Sequence, residues 1–405
     1  MTKNINELNI FTLVKQIEAI TTFKPTDVFK DYDFEALKKA NNGRRIEVLS
    51  LDPGNSGVKG RSTAGIQISL PNHYVTIDDV RDAEDEKPFQ HSKEEQTFRL
   101  PTFGDPTTYV WGEGVRGHEN AITTHSNSGR LGLPAFKKLV GMSLAVLVGD
   151  MQDGEEVDVV LFVGLPSYQA SKLKDKAKEA YAGTYTVIHN GIEKIINVIG
   201  VGVLSQPIGS YRYLTLGDNG GKLAAFDDGD DKVDLTKSKL LILDAGGITV
   251  DGDIIEKGKV KENGRSSIVG FGTTDIFEKI ADRLTKVKEE GVPVRMVQAE
   301  AQLTDGDNFR WGRFKTNASD DKKEVIEDMS KKLRTRVESQ WQDLTTIDYT
   351  FLVGGGAKFY SDEMQLFDKK IIILDQAHMT NAIGFHKFAM RNALTIVQKY
   401  RESNK

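Results

Sequence analysis

The 405-residue sequence contains no cysteine. That excludes disulfides, thiolate metal ligands and thiol nucleophiles, and it fits a reducing compartment. Proline is scarce at 10 residues, whereas glycine is frequent at 38, so the glycines need a better explanation than loop content. Neither charge sign dominates: 54 Lys and Arg stand against 59 Asp and Glu, a net charge of −5. This argues against a protein that coats a polyanion and leaves only a local basic face open. No apolar run approaches the roughly 20 residues of a membrane helix, and the N-terminus lacks the basic start and small-residue cleavage site of a signal peptide. We therefore expect a cytoplasmic protein, and 39% hydrophobic residues let two domains each bury a core.

Residues 1–42 read as two helices, the second over Asp31–Ala40. The first carries an apolar stripe of Leu8, Phe11, Leu13, Val14, Ile17 and Ile20, and its charges Lys3, Glu7, Lys15 and Glu18 cancel. A membrane-surface helix would carry a basic face, so this stripe predicts protein docking. From Arg45 the periodicity changes to strands. Ile46–Leu49 feeds the turn Asp52-Pro53-Gly54, and further strands are predicted at Gly65–Leu70, His73–Ile77, Thr107–Trp111, Val157–Val163, Tyr185–His189 and Ile192–Val203. Helices are predicted at Pro134–Val148 and Lys172–Ala182. The charge-dense stretch from Asp78 to Glu95 reads as a solvated loop, and the aspartates of 226–238 as a hairpin tip. After the strand Leu240–Leu243 the pattern turns mostly helical, over about 272–290, 293–304 and 320–342, before a strand at Tyr349–Val353 and a closing helix from Asn381 to Tyr400. Strand–glycine-turn units thus occur twice, at 46–60 and 240–254, which suggests a duplicated α/β architecture.

Three turns carry the chemistry. In the first, Gly54 and Gly57 let backbone N–H groups turn inward and form a concave donor site for phosphate oxygens. Asn55 lies between them, Ser56 adds a hydroxyl and Lys59 a point charge, whereas Asp52 suits phosphate only with a cation or water between. Taken alone, an ordinary β-turn explains this pattern equally well. The second turn, Asp244-Ala245-Gly246-Gly247-Ile248-Thr249, repeats the device. Two such hairpins can clamp one phosphate chain from both sides, with Asp52 and Asp244 holding Mg²⁺ through water. The third, Gly354-Gly355-Gly356-Ala357, follows a buried strand and lets something flat approach the backbone.

The order of these turns resembles the actin, sugar-kinase and heat-shock chaperone superfamily of ATPases, in which they are the two phosphate loops and the adenosine loop. Val203-Leu204-Ser205-Gln206-Pro207-Ile208-Gly209, Asn381-Ala382-Ile383-Gly384-Phe385 and Gly164-Leu165-Pro166 resemble segments of ParM-type plasmid actins. The resemblance implies an α/β, actin-like duplicated fold with two domains around a nucleotide cleft. The N-terminal extension would span 1–44, the first domain 45–205 completed by 381–405, and the second 206–380. It implies ATP or GTP with Mg²⁺ as cofactors, and it places Glu278, beside Lys279, near the ribose and adenine. Gln206 falls where a catalytic residue is expected; an amide lacks useful basicity and can only orient an attacking water, unless Gln206 merely caps a strand end.

The function implied is a filament that segregates plasmid DNA, with slow hydrolysis setting its turnover. Self-association and a ParR-like DNA-binding adaptor on a centromere-like site are the expected partners, with neither membrane nor direct DNA contact. The alternative is a non-polymerising kinase or regulatory ATPase of the same fold. A chaperone would need a substrate domain after the core, and only roughly 20 residues follow Gly384. A kinase would need a carboxylate base where Gln206 stands. Other signatures are missing: Leu216 and Leu223 flank a glycine-rich segment that does not fit a Walker loop, there is no Gly-x-Ser-x-Gly elbow, and the seven histidines lack ligand spacing.

Overall fold

Segments rich in Val, Ile and Leu at Ile46–Pro53, Glu155–Leu165 and Ile192–Ser205 form adjacent parallel strands. Such segments suit strands covered on both faces. The computed structural model describes residues 19–404 except 56, 81–94, 125–128, 171, 224, 229–230, 288–292, 342–343, 368–370 and 375. Among them, an 11-stranded sheet forms the first lobe and a 5-stranded sheet the second.

The two sheets share a plan. In the first, Ile66–Leu70, Val58–Ser62 and Ile46–Pro53 run antiparallel in that order, and Glu155–Leu165 and Ile192–Ser205 then follow in parallel. In the second, Lys259–Val269, Thr249–Glu256 and Lys239–Ala245 are antiparallel, followed by parallel Tyr349–Val353 and Ile371–Ile373. The same five-strand order and direction occur twice, as the repeated glycine turns predict.

Each sheet is covered on both faces. The helix Pro134–Leu147 buries Phe136, Leu139 and Leu144 against Leu49 and Leu51. On the opposite face the closing helix, Thr380–Ser403, sets Phe385, Ala389 and Met390 against Val48 and Val160. In the second lobe, the helices Thr273–Val287, Met296–Leu303 and Ser319–Gln340 cover one face. The helix Gln206–Thr215 covers the other, with Tyr211 and Leu214 against Leu240, Ile242 and Phe351. The connections are therefore exchanged: a helix that leaves the first sheet packs on the second, and the last helix returns to the first. They cross where a Cβ at Gly384 would collide with the carbonyl of Gly209, while a Cβ at Gly209 would stand 2.5 Å from the Phe385 ring.

Three expectations change. Ile20, read as the end of a helical stripe, lies in a strand, Ile20–Thr22, that pairs antiparallel with Ile66–Leu70. An open sheet edge offers backbone partners that outweigh side-chain spacing. The rest of that stripe lies outside the described residues. The second helix is shorter, Phe34–Ala40, because Asp33 caps it by accepting from Ala36 N–H at 2.8 Å. Phe29 and Leu37 are buried against the closing helix, and Tyr32 Oη donates to the Met390 carbonyl at 3.1 Å. Residues 308–317, within the mostly helical region, form a hairpin of Asn308–Trp311 and Phe314–Asn317. No helix among the described residues is long and apolar enough to cross a membrane.

Candidate functional site

Asp52 and Asp244 end the first strand of each repeated unit, and both are buried. Burying a carboxylate is costly unless it is hydrogen-bonded or charge-compensated. Asp52 accepts from Nε2 of Gln206 at 3.0 Å, and its register partner on the next strand is Lys59. Burial lowers the pKa of Lys59, while Asp52 and Asp244 draw it back up. Its Nζ donates to the Gly57 carbonyl at 3.3 Å. The Lys59 charge thus lies in the field of both carboxylates.

Asp244 accepts from Nδ2 of Asn381 at 2.6 Å. Its register partner is an acid, Asp251. Asp244 is pushed up to about 7 by burial and then by the Asp52 charge, against the pull of Asn381 and Lys59. The turn closes through Gly246 N–H to the Thr249 carbonyl at 2.8 Å. Thr273 N–H and Thr274 N–H, at the start of Thr273–Val287, reach the carbonyls of Gly246 and Gly247 at 3.0 and 2.9 Å. Gly247 is buried and Ile248 half-buried.

The third turn folds over the second. Gly354 has φ +89°, and a Cβ there would strike Asp244 Oδ1 and the Ala245 carbonyl, so only glycine fits. Gly356 N–H donates to the Ala245 carbonyl at 2.8 Å, and Ala357 begins the helix Ala357–Phe367. A Cβ at Gly355 would meet nothing within 4 Å. The chain's own packing does not require glycine there; an open space lies beside that backbone.

The structure therefore brings Asp52, Lys59 and Asp244 into one electrostatic group with Gln206 and Asn381, and it joins the second turn to the third. It treats other candidates differently. Thr249 Oγ1 is taken by Asp251 Oδ2 at 3.2 Å, so its hydroxyl serves the turn. Glu278 is exposed on Thr273–Val287, and no hydrogen bond links it to the turns among the described residues. Ser56 lies outside the described residues. A Cβ at Gly54 would stand 3.1 Å from the Gly57 carbonyl, and Asn55 Oδ1 accepts from Arg130 at 3.4 Å.

Arg130 escaped sequence reasoning. Its guanidinium reaches the carbonyls of Pro53 and Gly54 and Thr124 Oγ1, which occupies those carbonyls, while Gly54 N–H closes the turn onto the Asp52 carbonyl at 3.0 Å. Arginine 78 residues beyond Asp52, outside any motif, gives no local signal. A cross-lobe contact was equally invisible: a Cβ at Gly117 would sit 2.9 Å from Ala301 Cβ, where Arg116 and Glu300 face each other in charge.

The described residues hold no cluster of three or more His, Cys, Asp or Glu side chains suited to a metal. Two hard carboxylates in mutual repulsion do suit a cation that keeps most of its water, as Mg²⁺ does. The Thr273 hydroxyl, buried without a partner beside the second turn, is a further unspent oxygen.

Two family models match in succession: the N-terminal domain of actin-like proteins over residues 50–209, and the C-terminal domain of the MreB-like archaeal actin homologue over 242–366. No curated protein sequence matches the chain significantly. Similar solved structures include an archaeal actin homologue, Ta0583, in complex with ADP, at 17% identity and a TM-score of 0.64, covering 85% of this chain and 99% of the other. An apo ParM, psk41, is 19% identical with a TM-score of 0.60 over 85% and 97%. A ParM from a 15-stranded filament of Clostridium botulinum is 14% identical with a TM-score of 0.66 over 85% and 99%. With the duplicated strand order and exchanged helices, these matches give the chain the two-lobed, mixed α/β fold of the actin superfamily.

Proposed function

We propose that the chain binds ATP or GTP with Mg²⁺ between its lobes, polymerises in that state, and hydrolyses the nucleotide slowly to set filament turnover. The observation that carries this reading is the paired burial of Asp52 and Asp244 with Lys59 in the field of both. Such an arrangement is costly for the free protein and is relieved by a polyphosphate with a divalent cation. Lys59 and the N–H groups of Gly57 and Gly247 would take phosphate oxygens, while those of Gly54 and Gly246 close their own turns. The open space at Gly355 would take the base, with Glu278 toward the ribose. Asp52 and Asp244 would hold the hydrated Mg²⁺, which supplies neutralisation of phosphate charge. Gln206 donates its amide N–H to Asp52, which fixes the side chain and leaves Oε1 to orient a water.

The ADP complex of one similar structure and the filaments of another support nucleotide binding and self-association as the direction of search. Plasmid DNA is the proposed cargo, reached through a ParR-like adaptor. Pelleting of purified protein with Mg²⁺ and ATP, against ADP and no nucleotide, tests the reading. Sedimentation with ATP alone, lost in Asp244→Ala, is the expected result. Failure to sediment with any nucleotide would overturn polymerisation and leave a kinase or regulatory ATPase.

A further inference from the structure

The hairpin Asn308–Trp311 and Phe314–Asn317 pairs only with itself among the described residues. Its register sets Arg310 opposite Lys315 and Asn308 opposite Asn317. Side chains alternate along a strand. Phe309 points into the second-lobe core and is buried, so Asn308, Arg310, Lys315 and Asn317 share the outer, exposed face. Arg313, in the turn, is also exposed. Gln302 pins the ribbon to the helix Met296–Leu303 in both directions: Arg310 N–H donates to Gln302 Oε1 at 2.8 Å, and Gln302 Nε2 donates to the Arg310 carbonyl at 3.1 Å. The face is a fixed platform.

Its charge is uncompensated. Residues 308–319 include no acid. Of the flanking acids, Asp307 is paired with Lys322 at 3.1 Å, Asp305 with Lys358 at 2.6 Å and Asp321 with Arg283 at 3.5 Å, and Asp320 is the nearest acid without an ion pair among the described residues. Arg310 Nε donates to the Gly312 carbonyl at 3.3 Å, which leaves its charge unneutralised. No ion pair reaches Arg310, Arg313 or Lys315 among the described residues. An open groove of about 450 Å³ is lined by Asn308, Phe309, Arg310, Lys315, Thr316 and Asn317.

We propose that this ribbon contacts the phosphate backbone of double-stranded nucleic acid directly. Cations interleaved with amide and hydroxyl donors are the groups that hold phosphate oxygens. A two-stranded ribbon also has the breadth the major groove admits. A second copy of the chain is the less favoured occupant, because its −5 is spread over a whole surface, whereas duplex DNA concentrates one negative charge per about 1.7 Å of axis. Three cations on one copy make a weak site, and an array of copies along one duplex multiplies it. The site is separate from the nucleotide cleft and does not depend on it.

The test is fluorescence anisotropy of a labelled duplex titrated with the full chain, without nucleotide, over a salt series. Three phosphate contacts predict a log–log salt slope of about −2.7. Arg310→Gln/Arg313→Gln/Lys315→Gln should lose at least about tenfold in affinity at low salt and flatten that slope, whereas Arg310→Lys/Lys315→Arg should keep both. If the triple variant melts early, Arg313→Glu in the exposed turn gives the same reading alone. Equal binding by wild type and variant, or no binding by wild type at low salt, overturns the proposal. So does a variant that loses ATP-driven pelleting with duplex binding unchanged, since the ribbon is then a subunit contact. Because duplex binding is read without nucleotide, a failed pelleting experiment leaves this result intact.

Discussion

The two aspartate turns are built alike and held differently. Asp52 faces a lysine across its hairpin, while Asp244 faces another acid. Asp52 is gripped by Gln206, from the helix seated on the second lobe; Asp244 is gripped by Asn381, from the helix seated on the first. Each carboxylate in one lobe is therefore positioned by a helix packed on the other. The duplicated scaffold supplies symmetry, and the electrostatics break it: the first turn brings its own cation, whereas the second lacks one on its neighbouring strand.

The largest effect should come from forcing apart the two crossing helices that carry the anchors. Gly384→Ala places a Cβ on the Gly209 carbonyl, and overpacking at a backbone contact should cost about 3 kcal/mol, read as a fall in Tm with both carboxylate anchors disturbed. Asn381→Leu removes the second of the two carboxylate anchors, along with the bond that Asn381 Oδ1 accepts from Ser210 Oγ at 2.8 Å. Losing a hydrogen bond to a buried carboxylate should cost about 2 kcal/mol in denaturant unfolding, and more than Gln206→Leu, which unpairs a carboxylate that still faces Lys59. Equal losses would dissolve the asymmetry.

A pH series sharpens it further. Asp244 has a native pKa raised to about 7 against about 3.9 in an unfolded chain. The native state then binds more protons than the unfolded one between those values, so this group's contribution to stability falls as pH rises from about 4 to about 7. Asp244→Asn should flatten that fall in thermal melts, and Mg²⁺ should reduce it in the wild type by binding the ionised form. The smallest effect on stability is expected at Gly355→Ala, within about 0.5 kcal/mol, because a Cβ there meets nothing. Nucleotide affinity, measured by fluorescent-analogue titration, should nevertheless weaken as the methyl occupies the open space.

What could be read from sequence was local. An apolar run ending in Asp-x-Gly, or in three glycines as after Val353, announces a strand and a tight turn within a dozen residues, so the three turns were legible, and with them the duplicated architecture. Arg130 was not legible, since its role arises from folding over a turn far away in sequence. The exchange of the two helices was expected only through the resemblance, which put 206–380 in the second domain and 381–405 in the first; a helical stripe by itself carries no address. Ile20 shows the same limit: its spacing suited a helix until the edge of Ile66–Leu70 offered a ladder. The strands around Arg310 were hidden by a short alternating pattern inside a helical region.

The crossing of Gln206–Thr215 over the closing helix, glycine against glycine, works as a linkage. Backbone on backbone sets the closest approach of the axes, and Ser210 Oγ, bonded to Thr380 Oγ1 at 2.7 Å and to Asn381 Oδ1 at 2.8 Å, pins the two helices together beside it. Gln206 and Asn381 ride on opposite arms of that linkage, so a displacement of either helix reaches both carboxylates at once.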